Sequence, residues 1–294
     1  MKVVLTGSTG FVGRHLARAL LERGDAVHAI VRPQTDPGRL VAGVTPEMWG
    51  SDVGQLCDVM ARIKPAMVFH LATRFQDRHV PADVERLIHD NVGFGAMLAE
   101  AMVQAGVRCL VNTGTAWQHH ENAAYSPTCL YAATKQALEA ILRYYVDAAG
   151  MKVVTLKLFD TYGPDDRRGK LLSRFAQMAK DGSSLDMSPG EQRIDLVHVR
   201  DVVAAFLKAA DRLSASPPAG WESFAVSSGN PLQLRELAAL FADCAGKPLR
   251  INWGARAYRD REVMAPWSVG DVLPGWQPRV ALRDGLRELV ADHV

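Results

Sequence analysis

The chain has 294 residues, 48% of them hydrophobic and 22% charged, with a formal net charge of +2. That fits one large α/β unit or two closely joined lobes with an ample core, and the near-neutral charge gives no field that would argue for nucleic acid or a membrane surface as a partner. No run of about 18 apolar residues predicts a membrane span, and Cys57, Cys109, Cys129 and Cys244 match no zinc or disulfide spacing, so they read as free thiols of a cytoplasmic protein and not as metal ligands.

The opening residues read as a strand and a Gly-rich turn, not a cleavable leader. Apolar runs at 3–5, 26–31, 67–71, 109–112 and 153–159 are expected to be buried strands. They carry too little polar alternation to be half-exposed, as parallel strands between helix layers should. Segments 11–23, 53–63, 84–105 and 131–148 between them have helical spacing. The alternation predicts βαβ units and a doubly wound parallel sheet. After Gly163-Pro164 the elements shorten. A strand at 224–226 is expected to return to the main sheet, and the chain from Leu232 onward to form a smaller C-terminal lobe.

The first strand runs into Thr6-Gly7-Ser8-Thr9-Gly10-Phe11-Val12-Gly13, where a helix opens. Glycines there allow a tight turn and close approach of a pyrophosphate, and the helix start offers free N–H groups. The motif has the strand–turn–helix context it requires, so Gly7, Thr9, Gly10, Phe11, Val12 and Gly13 are candidate dinucleotide contacts and the fold is of Rossmann type. Strand two ends at Val31-Arg32-Pro33. An acidic residue there would accept a ribose 2′-hydroxyl; Arg32 instead suits a 2′-phosphate, favouring NADP(H), with NAD(H) as the alternative. Asp52 and Val53 are expected beside the adenine.

Tyr131 and Lys135 share one helix face, and Leu138 and Leu142 continue the stripe. A lysine in an apolar stripe needs a partner, and a cofactor ribose would supply one. A phenol titrates near pKa ~10 in isolation. The ammonium and a cationic nicotinamide ring are expected to lower that, so that Tyr131 can exchange a proton while hydride moves. A third member is expected from the strand that begins at Cys109: Thr113 or Thr115, with Thr115 preferred as lying just beyond the strand end.

Together with His70-Leu71-Ala72, Asn91, Tyr162-Gly163-Pro164, Arg193-Ile194-Asp195, His198-Val199-Arg200-Asp201 and Leu273-Pro274-Gly275-Trp276-Gln277-Pro278, these motifs resemble the extended short-chain dehydrogenase/reductase family that acts on nucleotide sugars. The run Gly114-Thr115-Ala116-Trp117-Gln118-His119-His120, with Leu130 to Lys135, is similar to its CDP-abequose and CDP-paratose synthases. The resemblance implies a dinucleotide-binding domain (1–163 with 194–229), a nucleotide-sugar lobe (164–193 with 230–294) and a homodimer through the two long helices. It places Leu71, Ala72, Thr73, Asn91, Thr113 and Phe159 at the cofactor. It places Thr115, Trp117, Asp160, Lys170, Leu171, Arg193 and Arg259 at the sugar nucleotide. Asp160 and Thr161 replace the Asn and hydrophobic residue of many relatives, and the short segment between Thr115 and Tyr131 implies a different roof over the sugar. His119 and His120 read as solvated loop histidines.

Three chemistries share such a scaffold. Dehydration needs an acid and a base beside the sugar, which the resemblance implies as an Asp-Glu pair directly after the threonine; Ala116 and Trp117 stand there and cannot move protons. A net ketone reductase exchanges cofactor and draws on NADPH, which suits Arg32. The reading is therefore reduction of a 4-keto deoxysugar nucleotide. The alternatives are a 4-epimerase with tightly bound NAD and a non-catalytic nicotinamide-sensing protein.

Overall fold

The computed structural model describes residues 1–215 and 220–293. The chain runs β1 (Lys2–Thr6), α1 (Phe11–Glu22), β2 (Ala26–Val31), β3 (Thr45–Met48), α2 (Val53–Ile63), β4 (Met67–His70), α3 (Val84–Ile88), α4 (Phe94–Gln104), β5 (Cys109–Thr115), α5 (Leu130–Ala149), β6 (Lys152–Leu158) and β7 (Asp160–Tyr162). There follow α6 (Leu171–Asp181), β8 (Ser184–Met187), β9 (Arg193–Ile194), β10 (Leu196–His198), α7 (Val199–Ala215), β11 (Trp221–Val226), β12 (Leu232–Gln233), α8 (Leu234–Ala245), β13 (Arg250–Trp253) and α9 (Leu282–His293).

Seven strands form one sheet in the order β11-β6-β5-β4-β1-β2-β3, and every pairing in it is parallel. The order reverses between β1 and β4, which opens a crevice at their C-terminal ends. The strands are apolar because both faces are covered. On one face β-strand side chains pack with Leu16, Ala17 and Leu20 of α1 and Val202, Phe206 and Leu213 of α7. On the other they pack with Leu56 and Met60 of α2, Leu98 and Met102 of α4, and Leu138 and Leu142 of α5. A third, smaller core joins Phe175 of α6, Leu237 and Phe241 of α8, and Leu286 and Leu289 of α9 to Tyr162 and Leu196.

The strand expected at 224–226 is the end of β11, paired with β6 from Trp221 onward. β3 gave little sequence signal because Pro46 interrupts it; a proline fits there because the strand is an edge. The stretch 84–105, expected as one helix, is interrupted by a π-helical turn at His89–Gly93. The strand expected to end at 112 continues to Thr115, so Thr115 closes the strand instead of lying beyond it.

Candidate active site

A cavity of about 700 Å³ fills the crevice. Its floor is the turn after β1. Gly7 has φ +74°, and a Cβ on it would stand 2.7 Å from the Ala72 nitrogen. At Gly13 a Cβ would lie 2.0 Å from the Gly7 carbonyl oxygen. Both places require glycine, and both bring backbone N–H groups to the cavity. The Gly10 N–H is spent on the Gly7 carbonyl at 3.0 Å, but α1 has no side-chain cap, so its first amides face the cavity as an anion site. Gly7, Thr9, Gly10, Phe11, Val12 and Gly13 all line it. Beside them the Ser8 hydroxyl is buried without a hydrogen-bond partner.

Arg32 and Thr35 line the far end. Arg32 is exposed and forms no ion pair among the described residues. Asp52 and Val53 are not among the residues that line the cavity. Both are exposed, and the Asp52 carboxylate accepts from the Gly54 N–H at 3.1 Å as the α2 cap. Trp49 forms the cavity wall instead, packed 4.5 Å from the Phe94 ring, with its indole N–H donated to the Asp52 carbonyl at 2.9 Å. The signal was Trp49 itself, a large aromatic at the end of a poorly marked strand.

Leu71, Ala72 and Thr73 line the cavity above β4. Asn91 lies behind them, 1% exposed. Its Oδ1 accepts from the Thr73 hydroxyl at 3.1 Å and the Arg74 N–H at 2.7 Å. Its Nδ2 donates to the Arg74 carbonyl and the Thr134 hydroxyl, each at 3.0 Å. With its amide saturated, Asn91 ties the wall to α5 and does not face the cavity. The π-turn aims it there, as such turns often do near functional sites.

Tyr131, Thr113, Thr115, Phe159, Asp160 and Lys170 line the remaining wall. The Thr113 hydroxyl donates to the His70 carbonyl at 2.8 Å. The Thr115 hydroxyl accepts the Trp117 N–H at 3.3 Å. Tyr131 packs edge-on to Phe75, 5.0 Å between ring centroids. Lys135 is 2% exposed, yet its Nζ has no hydrogen-bond partner. Lys135 lies behind the wall, one turn along α5 from the cavity-lining Tyr131, and an orphaned buried ammonium there is what a dinucleotide ribose would complete.

Burial sets the protonation states. It depresses Lys135 to about 8, against the opposing pull of Glu139. Desolvation, aided by the nearby Lys135 charge, depresses His70 to about 3. The Tyr131 phenol is pushed up, not down as expected from its lysine neighbour: loss of solvation outweighs the help from Thr73. Asp160 is also raised by burial, opposed by Lys170 and Arg168, while burial lowers Lys170 despite Asp160.

Around Tyr131 the wall is aromatic and cationic. Trp117 stands 5.6 Å from Phe75, Lys170 Nζ lies 4.5 Å over the Phe75 ring, and Arg168 sits 4.3 Å over Phe11. Phe75, Arg168 and Thr35 were missed; only the charged run before Lys170 hinted at Arg168. Leu171, Arg193 and Arg259 are not brought to the cavity wall. Leu171 begins α6. Arg193 is exposed and donates to the Pro231 carbonyl. Arg259 is 6.0 Å from the Trp117 ring and is held by Asp77 at 3.1 Å and Glu262 at 3.9 Å. His119 is not a solvated loop residue: it is 7% exposed and stacks on Trp267 at 4.0 Å. His120 is half-buried, its Nε2 3.2 Å from the Glu262 carbonyl.

Sheet order, glycine cradle and buried Tyr–Lys pair define a Rossmann-type nicotinamide enzyme. The profile of the NAD dependent epimerase/dehydratase family matches residues 3–221, and the chain belongs to that family of extended short-chain dehydrogenases, NAD(P)-dependent enzymes that act on nucleotide sugars. It is 25% identical to a CDP-abequose synthase of Salmonella muenchen over 99% of this chain and 97% of the relative. It is 28% identical to a UDP-glucose 4-epimerase of Mycolicibacterium smegmatis over 99% and 97%. The UDP-glucose 4-epimerase of Thermus thermophilus, solved with NAD, superposes with a TM-score of 0.81 at 25% identity over 100% and 99% of the two chains. No helix among the described residues is long and apolar enough to cross a membrane, and no group of His, Cys, Asp and Glu among them could hold a metal ion.

Proposed function

We propose that this chain reduces the 4-keto group of a nucleotide-diphosphate-linked deoxysugar with NADPH. The observation that carries the reading is the Tyr131–Lys135 pair, both buried on one face of α5, with Tyr131 on the cavity wall. A phenol is protonated at neutral pH and can give the proton that ketone reduction consumes. The nicotinamide supplies the hydride when bound. Lys135 holds the ribose diol, Thr115 polarises the carbonyl oxygen, and Tyr131 delivers the proton to it. Gly7, Thr9, Gly10, Phe11, Val12 and Gly13 seat the pyrophosphate, and Arg32 pairs with the 2′-phosphate. Trp117, Asp160 and Lys170, which line the cavity, contact the sugar nucleotide.

The CDP-abequose synthase relative supports reduction. The epimerase relative, and the solved epimerase with NAD, favour the second reading, a 4-epimerase with tightly held NAD. We assign residues 1–163 with 194–229 to the cofactor and 164–193 with 230–294 to the sugar nucleotide. The same reading carries a cytoplasmic homodimer through α3–α4 and α5, where Val84, Ile88 and Tyr144 are exposed.

CDP-, dTDP- and GDP-linked 4-keto-6-deoxysugars offered with NADPH and with NADH test it through nicotinamide absorbance. Stoichiometric loss of NADPH with one substrate is expected. Isomerisation of a sugar nucleotide without net NADPH loss overturns the reductase in favour of the epimerase. Tyr131→Phe is expected to lower kcat by about 10²–10⁴-fold with cofactor affinity unchanged; full turnover in that variant removes the proton donor from the scheme.

A further inference from the structure

Four buried polar side chains lie under the reacting wall and touch neither cofactor nor substrate space. Gln118 is 0%, Glu139 5%, Lys157 5% and His119 7% exposed. Glu139 continues the Tyr131–Lys135 face of α5. Lys157 lies on β6 in register with Gly114 of β5. Gln118 and His119 belong to the turn that leaves β5 at Thr115.

These groups form one closed set. Glu139 Oε2 lies 3.3 Å from Lys157 Nζ, and Lys157 donates to His119 Nε2 at 2.7 Å. That leaves His119 Nδ1–H to donate to the Ala123 carbonyl at 3.1 Å. Gln118 Nε2 donates to Glu139 Oε1 at 2.9 Å and Gln136 Oε1 at 2.7 Å. Gln118 Oε1 accepts the Thr115 N–H at 2.9 Å. Trp267 covers the set from outside, stacked on His119 at 4.0 Å and 5.9 Å from Lys157 Nζ. The packing is tight: a Cβ at Gly114 would meet Glu139 Oε1 at 2.9 Å and Gln118 Oε1 at 3.0 Å.

A buried ion pair gives little net stability over an apolar replacement, so its value here is geometric. Thr115 sits on a strand end and Tyr131 on a helix, and Gln118 bonds to both elements at once. We propose that Gln118, held on α5 by its hydrogen bonds to Glu139 and Gln136, is a positioning residue that sets the Thr115 hydroxyl against the Tyr131 phenol. This rests on the roles given to Thr115 and Tyr131 in the proposed reaction.

The test is a double-mutant cycle on the full chain with NADPH and its keto-sugar. Gln118→Met keeps the side-chain length and removes both hydrogen-bonding ends. It is expected to lower kcat about 10- to 100-fold, as a small misplacement does, with the two KM values within about threefold. In a Thr115→Ala background the same change is expected to alter kcat by less than about twofold, because Gln118 acts through Thr115. Equal losses in both backgrounds overturn the proposal. A Thr115→Ala variant with normal kcat overturns the role of Thr115 in the reaction as well; a lowered one with additive losses overturns positioning alone. Glu139→Gln combined with Lys157→Met removes both charges but leaves an acceptor for Gln118 Nε2. Its kcat is expected within about fivefold of the parent, and a loss as large as that expected for Gln118→Met overturns the proposal even if that single variant does not fold.

Discussion

Lys135 shows how one residue's surroundings convert sequence pattern into chemistry. Its place in the stripe with Tyr131, Leu138 and Leu142 marked it as buried, and it is 2% exposed. How burial acts on the pair was not legible, because desolvation depends on depth. The phenol goes up where its lysine neighbour alone would have taken it down. Lys135 falls to about 8 for the same reason. The protonated ammonium is the form that donates to ribose hydroxyls, and it is lost as pH rises through that value. NADPH affinity is therefore expected to hold below pH 8 and to weaken above it by up to about tenfold per pH unit. Lys135→Met is expected to bind more weakly at pH 7 and to show no such slope. Fluorescence titration of the reduced nicotinamide from pH 6 to 9.5 checks this; a slope that survives in the variant assigns the dependence to another group.

At the scale of an element, the turn after β1 was readable because its demands are local. Glycine at 7, 10 and 13 follows from where the backbone must fold back on itself. The structure adds the reason at Gly13, whose added Cβ would stand 2.0 Å from the Gly7 oxygen and 3.0 Å from Ser8 Cα, both backbone. Gly13→Ala is expected to lower cofactor affinity at least about 100-fold and stability by about 1–3 kcal/mol. Gly93→Ala, in the π-turn, meets only the Ile88 oxygen at 4.0 Å and is expected to stay within about 0.5 kcal/mol of the parent. Calorimetric binding and urea unfolding separate the two; equal behaviour refutes the crowding argument. The π-turn itself left no trace in the hydrophobic period. It exists because Asn91 must reach Thr73, Arg74 and Thr134 together.

Across the whole molecule, two motifs far apart in the chain prove to be one joint. Asp201 on α7 accepts the Arg279 and Val280 N–H groups, each at 3.0 Å, and its carbonyl accepts the Trp276 indole N–H at 2.9 Å. This fastens the segment before α9, and with it the third core, to the sheet's helix layer. Asp195 plays the same part after β9, accepting from the Ser227 hydroxyl at 2.5 Å and the Ser228 N–H at 2.9 Å. Asp201→Ala leaves two amides without their acceptor and is expected to cost about 2–4 kcal/mol. Urea unfolding measures it, and an unchanged midpoint shows that the joint carries no stability.

The amino-acid sequence alone determined the parallel sheet, the glycine cradle and the Tyr131–Lys135 face. Each depends on spacing within a few residues, through the strand and helix periods and the steric freedom of glycine. Only the tertiary structure decided that Trp49 and not Asp52 walls the cavity, that His119 is buried under Trp267, and that Gln118 bridges Thr115 to Glu139. Those outcomes depend on contacts between segments far apart in the chain, whose free energy comes from packing and desolvation at places no local pattern encodes.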